Sequence, residues 1–334
     1  MLHRASTRRL AVLALAFAVL LTGCSELKSS STAGDVEKPS IRVAILTTVD
    51  LAPLWLAQEG GYFKAEGLEV QTDVGASGQE TLSRMTSGQD DLALSTYTLF
   101  FLAKSSGAAD VKLVTDGTSA SPRSNEVVTV PNSPVKTVSD LQGKRIAISS
   151  KNAASDVLTR SVMRDHGVDP GKVQWVPMPL SEMSGALAQG KVDAAYQPEP
   201  FLTQAARTVG AFPVIDAASG STQNFPLTGY GATAKWAQDH PKTMRAFQRA
   251  MLNATRAAID RARIEPLVVR NAKVDQDIAS LMVMPAFGST LDARRIQRVP
   301  DLLQQLGVSQ RSVVECTATN TNDGHAAILD RGKG

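Results

Sequence analysis

Two carboxylates, Asp50 and Glu199, are the residues whose type and position best suit direct contact with a small ligand. Each comes shortly after an apolar run that is typical of a buried strand, so each is expected in a loop at a strand end. A carboxylate in such a loop favours a cation or an amine, or accepts N–H groups from a heterocycle. An anion would favour the forked guanidinium of Arg, which these loops lack. Lys151, in a neighbouring loop, is the counter-argument for an anion.

Small hydroxyl and amide side chains dominate the other loops at the carboxyl ends of the predicted strands. This composition suits a shaped site with a few directed hydrogen bonds. The residues that we predict to contact a ligand are Thr47, Thr48, Asp50, Ser77, Thr96, Tyr97, Ser150, Asn152 and Glu199. Because Ser, Thr, Asn and Asp are also preferred helix N-caps, capping is the alternative role for each small residue. Tyr97 and Trp55 could stack on a ring, although Trp55 suits a helix core equally well.

Motifs for catalysis are not found in the sequence. The segment 75–78 lacks the G-x-S-x-G spacing of a nucleophile elbow. The segment 229–234 fits G-x-G-x-x-A, but no ordinary dinucleotide-binding unit surrounds it, so we interpret it as a turn into a strand. None of the four histidines pairs with Cys, Asp or Glu at metal-ligand spacing. We therefore predict no catalytic residue, no metal and no cofactor.

Short β-branched runs alternate with helical segments from residue 40 onward. This alternation predicts βαβ units on a mostly parallel sheet, and hence an α/β fold. The predicted strands are 41–46, 68–73, 92–95, 111–115, 126–130, 145–149, 173–176, 192–196, 212–215 and 230–234. The predicted helices are 54–65, 79–87, 98–105, 138–141, 153–166, 183–189, 200–209, 241–263, 275–283 and 292–305.

Two polar, turn-rich stretches, 119–124 and 219–224, flank the second half of this alternation. If the chain crosses between two lobes at both, lobe I comprises residues 40–122 and 228–334, and lobe II is the insertion 123–227. In open α/β sheets, ligands bind beyond the carboxyl ends of the strands. The candidate ligand residues would therefore converge in a cleft between the lobes.

The first 39 residues differ in character from the rest of the chain. Arg4, Arg8 and Arg9 precede an apolar run at 10–21, which is the layout of a secretory signal. The run has about twelve residues, fewer than the roughly 20 that a membrane-spanning helix needs. Residues 25–39 are polar and Ser-rich, which predicts a flexible tether with an r.m.s. reach of about 20 Å.

Composition and charge exclude several classes of protein. With 334 residues, 43% of them hydrophobic, the chain can bury a large core, which excludes general disorder. The net charge is only +3, and loss of the three signal arginines would leave 32 basic against 32 acidic residues. This balance argues against nucleic acid as a partner. Cys316 suits a buried small hydrophobic position, with a disulfide-linked dimer as the alternative; we expect a monomer.

The segment Leu21-Thr22-Gly23-Cys24 resembles the lipobox of bacterial lipoproteins. The resemblance implies that residues 1–23 are a removed signal peptide and that Cys24 carries acyl chains. Two or more acyl chains anchor a protein stably, whereas one alone binds a membrane only marginally. We therefore expect an extracytoplasmic protein that is anchored to the bacterial cell membrane through Cys24, with residues 24–39 as the tether.

Four further segments carry a second resemblance. They are GGYFKAEGLEV (60–70), DLQGKRIAI (140–148), ALAQGKVDAA (186–195) and PEPF (198–201). Together they resemble the periplasmic solute-binding proteins of ABC importers, in the group for nitrate, taurine, alkanesulfonates and thiamine pyrimidine precursors. This resemblance implies a two-lobed periplasmic-binding-protein-like fold of type II, with two crossover strands and a ligand cleft. It also implies an ABC permease and its ATPase as partners, and delivery of a small organic solute without catalysis.

Two alternatives stay open beside solute import. The same fold could act as a membrane-tethered sensor that reports ligand occupancy to a receptor. The yeast enzyme that synthesises the thiamine pyrimidine shares the fold, but it has a cysteine-rich motif and an active-site histidine. This chain has no cysteine cluster and no histidine in its predicted cleft loops, so we expect no enzyme.

Overall fold

The computed structural model describes residues 36–309 and two further strands, 314–319 and 326–331. The signal segment, Cys24 and the first part of the tether lie outside the described residues, and so does the side chain of Cys316. Within the described residues, no helix combines the length and the apolar character needed to cross a membrane.

The described strands form two mixed sheets and a separate hairpin. The first sheet contains β1 (Ser40–Ile45), β2 (Glu69–Val74), β3 (Leu92–Thr96), β4 (Val111–Ser119), β10 (Pro226–Thr233) and β11 (Ala286–Phe287). Their order is β11-β4-β10-β3-β1-β2. The second sheet contains β5 (Asn125–Thr129), β6 (Arg145–Ile148), β7 (Gln174–Pro177), β8 (Ala194–Pro198) and β9 (Phe212–Asp216). Their order is β7-β6-β8-β5-β9, and β12 (Val314–Thr319) pairs with β13 (Ala326–Arg331).

Helices connect these strands and continue after the last crossover. Those of the first half are Ala52–Glu59, Tyr62–Ala65, Gly78–Thr86 and Tyr97–Ser106. Those between the strands of the second sheet are Ala154–Asp165, Leu180–Ala188 and Phe201–Val209. Those that follow β10 are Ala234–Asp239, Pro241–Ala257, Arg261–Ala272, Gln276–Leu281 and Ala293–Gln305. Short 3-10 turns occupy Val49–Leu51, Val138–Leu141, Pro170–Lys172 and Gly220–Thr222.

The predicted α/β alternation is confirmed, and most strands of each sheet run in one direction, although neighbouring strands pair both parallel and antiparallel. β1 is parallel to β2 and β3, and β6 is parallel to β7 and β8. However, β10 runs antiparallel to β3 and β4, and β5 runs antiparallel to β8 and β9. The reason is connectivity: these strands reach their sheets by crossing from the other one, and strand alternation along the sequence does not specify the direction of such strands.

Two helices predicted as continuous are each divided in the structure. The segment 54–65 breaks at Gly61, whose φ of +74° is the left-handed conformation that glycine adopts without penalty. The segment 241–263 breaks before Asp260, which accepts a hydrogen bond from the backbone N–H of Ala262 at 3.1 Å and so begins a new helix.

We use lobe I for the part of the chain built on the first sheet and lobe II for the part built on the second. The chain leaves the first sheet after Ser119 and returns to it at Pro226. The residue boundaries predicted for the lobes, 122/123 and 227/228, stay predictions.

Helix Ala293–Gln305 packs against both lobes. Ile296 and Val299 belong to a hydrophobic cluster that also contains Phe100 of lobe I and Leu158 of lobe II. On the same helix, Arg298 donates hydrogen bonds to carbonyl groups of the crossover segment before β10, with N–O distances of 2.9–3.1 Å. This helix therefore stabilises the connection between the two sheets.

The segment 229–234, interpreted from its sequence as a turn into a strand, lies almost entirely within β10. Its glycines serve packing, because a Cβ on Gly229 would lie 2.8 Å from the ring of Tyr97. A Cβ on Gly231 would likewise lie 2.8 Å from the ring of Phe100. Both rings are fully buried, so neither can move aside without displacing the core.

We expect Gly231→Ala to lower the free energy of unfolding by about 1–3 kcal/mol, because the added methyl group overpacks the contact with Phe100. Gly185 is the matched control: it lies inside helix Leu180–Ala188, and the nearest atom to an added Cβ is 4.0 Å away. Gly185→Ala should stabilise by about 0.5–1 kcal/mol through helix propensity. Urea unfolding of both variants measures the difference, and equal stability of the two would contradict the packing role.

Candidate functional site

The loops that follow β1 and β8 meet between the lobes. The loop after β1 forms the 3-10 turn Val49–Leu51 of lobe I, and Glu199 follows β8 in lobe II. The backbone N–H of Val49 donates to the carbonyl of Glu199 at 3.2 Å. This contact places Asp50, the next residue of the turn, at the junction of the lobes.

Asp50 is a largely enclosed carboxylate without a positively charged partner. Its oxygens accept hydrogen bonds from the hydroxyls of Thr48 and Thr118, each at 3.2 Å. Among the described residues, no Lys, Arg or His forms an ion pair with it. Burial raises the pKa of Asp50 to about 6 despite these two hydrogen bonds. Asp50 as a whole residue is intermediate between buried and exposed.

The charge of Asp50 acts on two buried tyrosines, one from each lobe. Burial, followed by the charge of Asp50, raises the pKa of both Tyr196 on β8 and Tyr230 on β10. Tyr196 donates its hydroxyl to Asn125 Oδ1 at 2.7 Å. The hydroxyl of Tyr230 is buried and has no hydrogen-bond partner in the part of the chain that the structure describes.

Other buried polar atoms of lobe II also lack partners among the described residues. Neither the nitrogen nor the oxygen of the Gln197 carboxamide makes a hydrogen bond, and this residue is 0% exposed. Ser150 Oγ is likewise buried and unpaired. Leaving such atoms unpaired is costly, so native structures pair nearly all of them with protein, water or ligand. These atoms are therefore candidates for ligand contacts.

Two cavities open between residues of the two lobes. One, of about 490 Å³, has Thr47, Thr48 and Gly75 on the lobe I side and Leu180 and Phe201 on the lobe II side. The other, of about 410 Å³, is bounded by parts of helices Gly78–Thr86 and Tyr97–Ser106 and by Lys151 and Asn152. Their volumes are in the range of sites for small molecules.

The predicted ligand residues divide into those that border these cavities or Asp50 and those that have structural roles. Thr47, Thr48 and Asn152 line the cavities, and Asp50 and Ser150 have the properties described above. Ser77 instead caps helix Gly78–Thr86, accepting from the N–H of Glu80 at 3.2 Å.

Thr96 and Tyr97 begin helix Tyr97–Ser106 and are engaged within lobe I. The hydroxyls of Thr96 and Thr98 are 2.9 Å apart. Tyr97 is fully buried and donates its hydroxyl to Asp116 at 2.6 Å, and Asp116 also binds Arg295. Burial raises the pKa of Tyr97, and its ring packs against β10 at Gly229. Trp55 is 5% exposed and belongs to the core of lobe I.

The carboxylate of Glu199 accepts hydrogen bonds from residues of both lobes. It accepts hydrogen bonds from the backbone N–H and the hydroxyl of Thr203, at 3.1 and 2.8 Å, which caps helix Phe201–Val209. It also accepts from the N–H of Val283 in lobe I at 3.1 Å. Burial raises the pKa of this carboxyl. Glu199 therefore connects the lobes, and the ligand contact predicted for it stays a prediction.

Gln197 follows the predicted strand 192–196 in one of the loops that we searched, but it was not selected as a ligand contact. Sequence reasoning did not consider Thr118, Tyr196 or Tyr230. They lie inside or at the end of strands, not in the loops that we searched. A polar side chain in the middle of an apolar strand was the available signal for Tyr230. Among the described residues, no group of three or more His, Cys, Asp or Glu side chains could hold a metal ion.

Two mixed sheets joined by two crossovers, with a polar site between them, define the class of this protein: it has the two-lobed periplasmic-binding-protein fold. The family model described as NMT1/THI5 like matches residues 48–263, more than half of the chain. The chain therefore belongs to the NMT1/THI5-like family, and both the predicted resemblance and the predicted fold class are confirmed.

Solved structures of low sequence identity share this fold. The alkanesulfonate-binding protein SsuA from Xanthomonas axonopodis pv. citri, bound to MOPS, matches with a TM-score of 0.71 at 16% identity, over 83% of this chain and 96% of that one. The nitrate-binding protein NrtA from Synechocystis PCC 6803 matches with a TM-score of 0.74 at 15% identity, over 84% of each chain. A zinc-bound ligand-binding component of an ABC-type import system from Staphylococcus aureus matches with a TM-score of 0.72 at 14% identity, over 81% and 93%. No curated protein has significant sequence similarity to the chain.

Proposed function

We propose that this chain is an extracytoplasmic solute-binding protein that delivers a small organic solute to an ABC importer. The observation that carries the proposal is the set of buried, unpaired polar atoms of Gln197, Tyr230 and Ser150, together with Asp50 at the junction of the lobes. Family membership and the shared fold support the same proposal. The permease and its ATPase are the partners that this role requires.

In this proposal, the solute binds between the lobes and stabilises their closed arrangement. A ligand shifts such an equilibrium only by as much as it prefers one state. Contacts between the lobes at Glu199 and an ion pair of 2.6 Å between Arg207 and Asp277 belong to the arrangement in the structure. We propose Thr47, Thr48, Asp50, Ser150 and Asn152 as ligand contacts, and lobe boundaries at 122/123 and 227/228.

A thermal-shift screen tests the binding proposal. The solutes to compare are amines, pyrimidines, taurine, alkanesulfonates and nitrate, and the amine-bearing and heterocyclic ones are favoured because Asp50 lacks a cationic partner. A solute at 100 times its Kd should stabilise the protein by roughly 2.7 kcal/mol. Chemical turnover of a candidate substrate would instead support the enzyme alternative, since the family includes a synthesising enzyme.

The membrane anchor is a separate part of the proposal. We propose that Cys24 is lipid-modified after removal of residues 1–23, and that 24–39 tether the folded part to the membrane. Cys24→Ala should release the protein from membranes into the soluble fraction, because loss of the acyl chains removes stable anchoring. Fractionation and labelling with a radioactive fatty acid measure this outcome, and continued labelling of the variant would refute the lipid site.

The sensor alternative is distinguished by genetic context. A permease and an ATPase encoded beside this chain would support import, whereas a neighbouring sensor kinase would support signalling. Deletion of the importer genes should then abolish uptake of the solute that stabilises the purified protein.

A further inference from the structure

The charges around Asp50 are unlike those expected at an anion site. Its two hydrogen bonds come from the neutral hydroxyls of Thr48 and Thr118, and Thr118 is itself 2.7 Å from the hydroxyl of Thr228. The charge of Asp50 also acts on two neutral phenols, those of Tyr196 and Tyr230. Because these hydroxyls and phenols are neutral, they leave the negative charge of the Asp50 carboxylate uncompensated.

Above about pH 7, a neighbouring carboxyl adds to the negative charge of this region. Glu126 on β5 pairs with Gln197 on β8 in the second sheet, and it is 4% exposed. The charges of Asp216 and Glu199 act on Glu126, and its cationic partner, Arg123, lies 3.6 Å away with a side chain that is 74% exposed. Such an exposed partner is well solvated and compensates little of a buried charge.

The largely buried guanidinium of Arg295 does not compensate the negative charge around Asp50. It is bound by the carboxylate of Asp116, and it also donates to the hydroxyl of Ser119 at 2.6 Å. Lys151, the sequence-based argument for an anion, is exposed at the rim of the 410 Å³ cavity. Neither cation therefore offers a free charge beside Asp50.

We propose that the solute carries a protonated amine, and that its N–H groups bind the carboxylate of Asp50 and the unpaired hydroxyl of Tyr230. This inference rests on the proposed function and deepens it by assigning the charge of the ligand. An ammonium group has three donors and no acceptor, which suits a carboxylate whose bonded donors are neutral hydroxyls and a tyrosine oxygen without a partner among the described residues. The same carboxylate disfavours sulfonate and nitrate, because two like charges repel strongly where water is excluded.

Binding of such a solute depends on the ionisation of Asp50. The protonated carboxyl cannot pair with an ammonium group, so a proton must leave before the amine binds. Amine affinity should therefore rise with pH up to the pKa of about 6 and stay level above it. Below that pKa, the affinity should fall by about tenfold per pH unit.

The test measures thermal shifts and Kd values for named probes at about pH 8 and about pH 5. The amine probes are ethanolamine, 1,4-diaminobutane and 2-phenylethylamine, and the anion probes are ethanesulfonate and nitrate, all at millimolar concentration. We expect at least one amine to stabilise the protein at the higher pH and neither anion to do so. Asp50→Asn should weaken that amine at least about tenfold, whereas Asp301→Asn, which changes an exposed aspartate, should leave it unchanged.

Tyr230→Phe is the second variant, because it removes a hydroxyl that has no partner in the protein. It should keep the stability of the ligand-free protein and weaken the amine several-fold. Stabilisation by an anion and not by an amine would overturn the inference while leaving the proposed function intact. If no probe, neither amine nor anion, stabilised the protein, that result would count against both the inference and the proposed function. Unchanged amine affinity in Asp50→Asn or in Tyr230→Phe would also overturn the inference.

Discussion

Replacing Arg295 with Met should lower the free energy of unfolding by about 3–5 kcal/mol. Arg295 binds Asp116, whose side chain is only 1% exposed, and Asp116 also accepts a hydrogen bond from the hydroxyl of Tyr97 at 2.6 Å. Removing the guanidinium leaves a buried carboxylate whose remaining partners among the described residues are the Tyr97 hydroxyl and the N–H of Gly117. The loss should be large because the remaining charge is buried and uncompensated.

A double variant separates the charge from the packing. Arg295→Met combined with Asp116→Asn should recover much of the lost stability, because no buried charge then remains unpaired. Arg294→Met is the matched control: it changes the adjacent, exposed arginine and should alter stability by no more than about 0.5 kcal/mol. If Arg295→Met proved as stable as this control in urea unfolding, the buried ion pair would contribute nothing to the free energy of unfolding.

Stability of the ligand-free protein should fall as the pH rises from about 4.5 to about 7, and Glu126 should account for a large part of the change. Burial raises the pKa of Glu126 from 4.5 to about 7, with Asp216 and Glu199 adding to the shift and Arg123 opposing it. Between these values the folded protein keeps a proton that the unfolded chain has lost, so raising the pH favours unfolding. The full cost, at most about 3 kcal/mol, is present above pH 7.

Glu126→Gln removes this titration and should raise the melting temperature at about pH 8 by several degrees, with little change at about pH 5. Glu69→Gln, which changes an exposed carboxylate on β2, should have no such pH-dependent effect. Calorimetry at the two pH values measures both variants. An equal gain at both would show that ionisation of Glu126 is not the cause.

The position of most strands could be predicted because the signal is local. Strands such as β1, β6 and β9 follow β-branched runs bounded by polar turns, and the structure places them within a residue or two of the predicted bounds. The order of helix and strand depends on the hydrophobic period of each segment, which a single sequence contains. The family resemblance, carried by four segments in order, likewise needed no tertiary information.

The identity of the site residues depended on contacts across the whole chain. Tyr97 and Glu199 were predicted as ligand contacts from their places at strand ends. The structure engages Tyr97 with Asp116, 19 residues away, and Glu199 with Val283, 84 residues away. No local pattern reveals such partners, because the residues next to a tyrosine in the sequence do not show whether its hydroxyl is hydrogen-bonded in the folded protein.

The sequence by itself determined the alternation of elements, the family and the candidate anchor at Cys24, because each depends on short segments whose meaning is local. Only the tertiary structure decided which polar groups are left for a ligand. It inserted β10 between β3 and β4, left the hydroxyl of Tyr230 without a partner among the described residues, and assigned Arg295 to Asp116. The physical reason is that burial and pairing set the energy of a polar group, and both are properties of distant residues that meet only on folding.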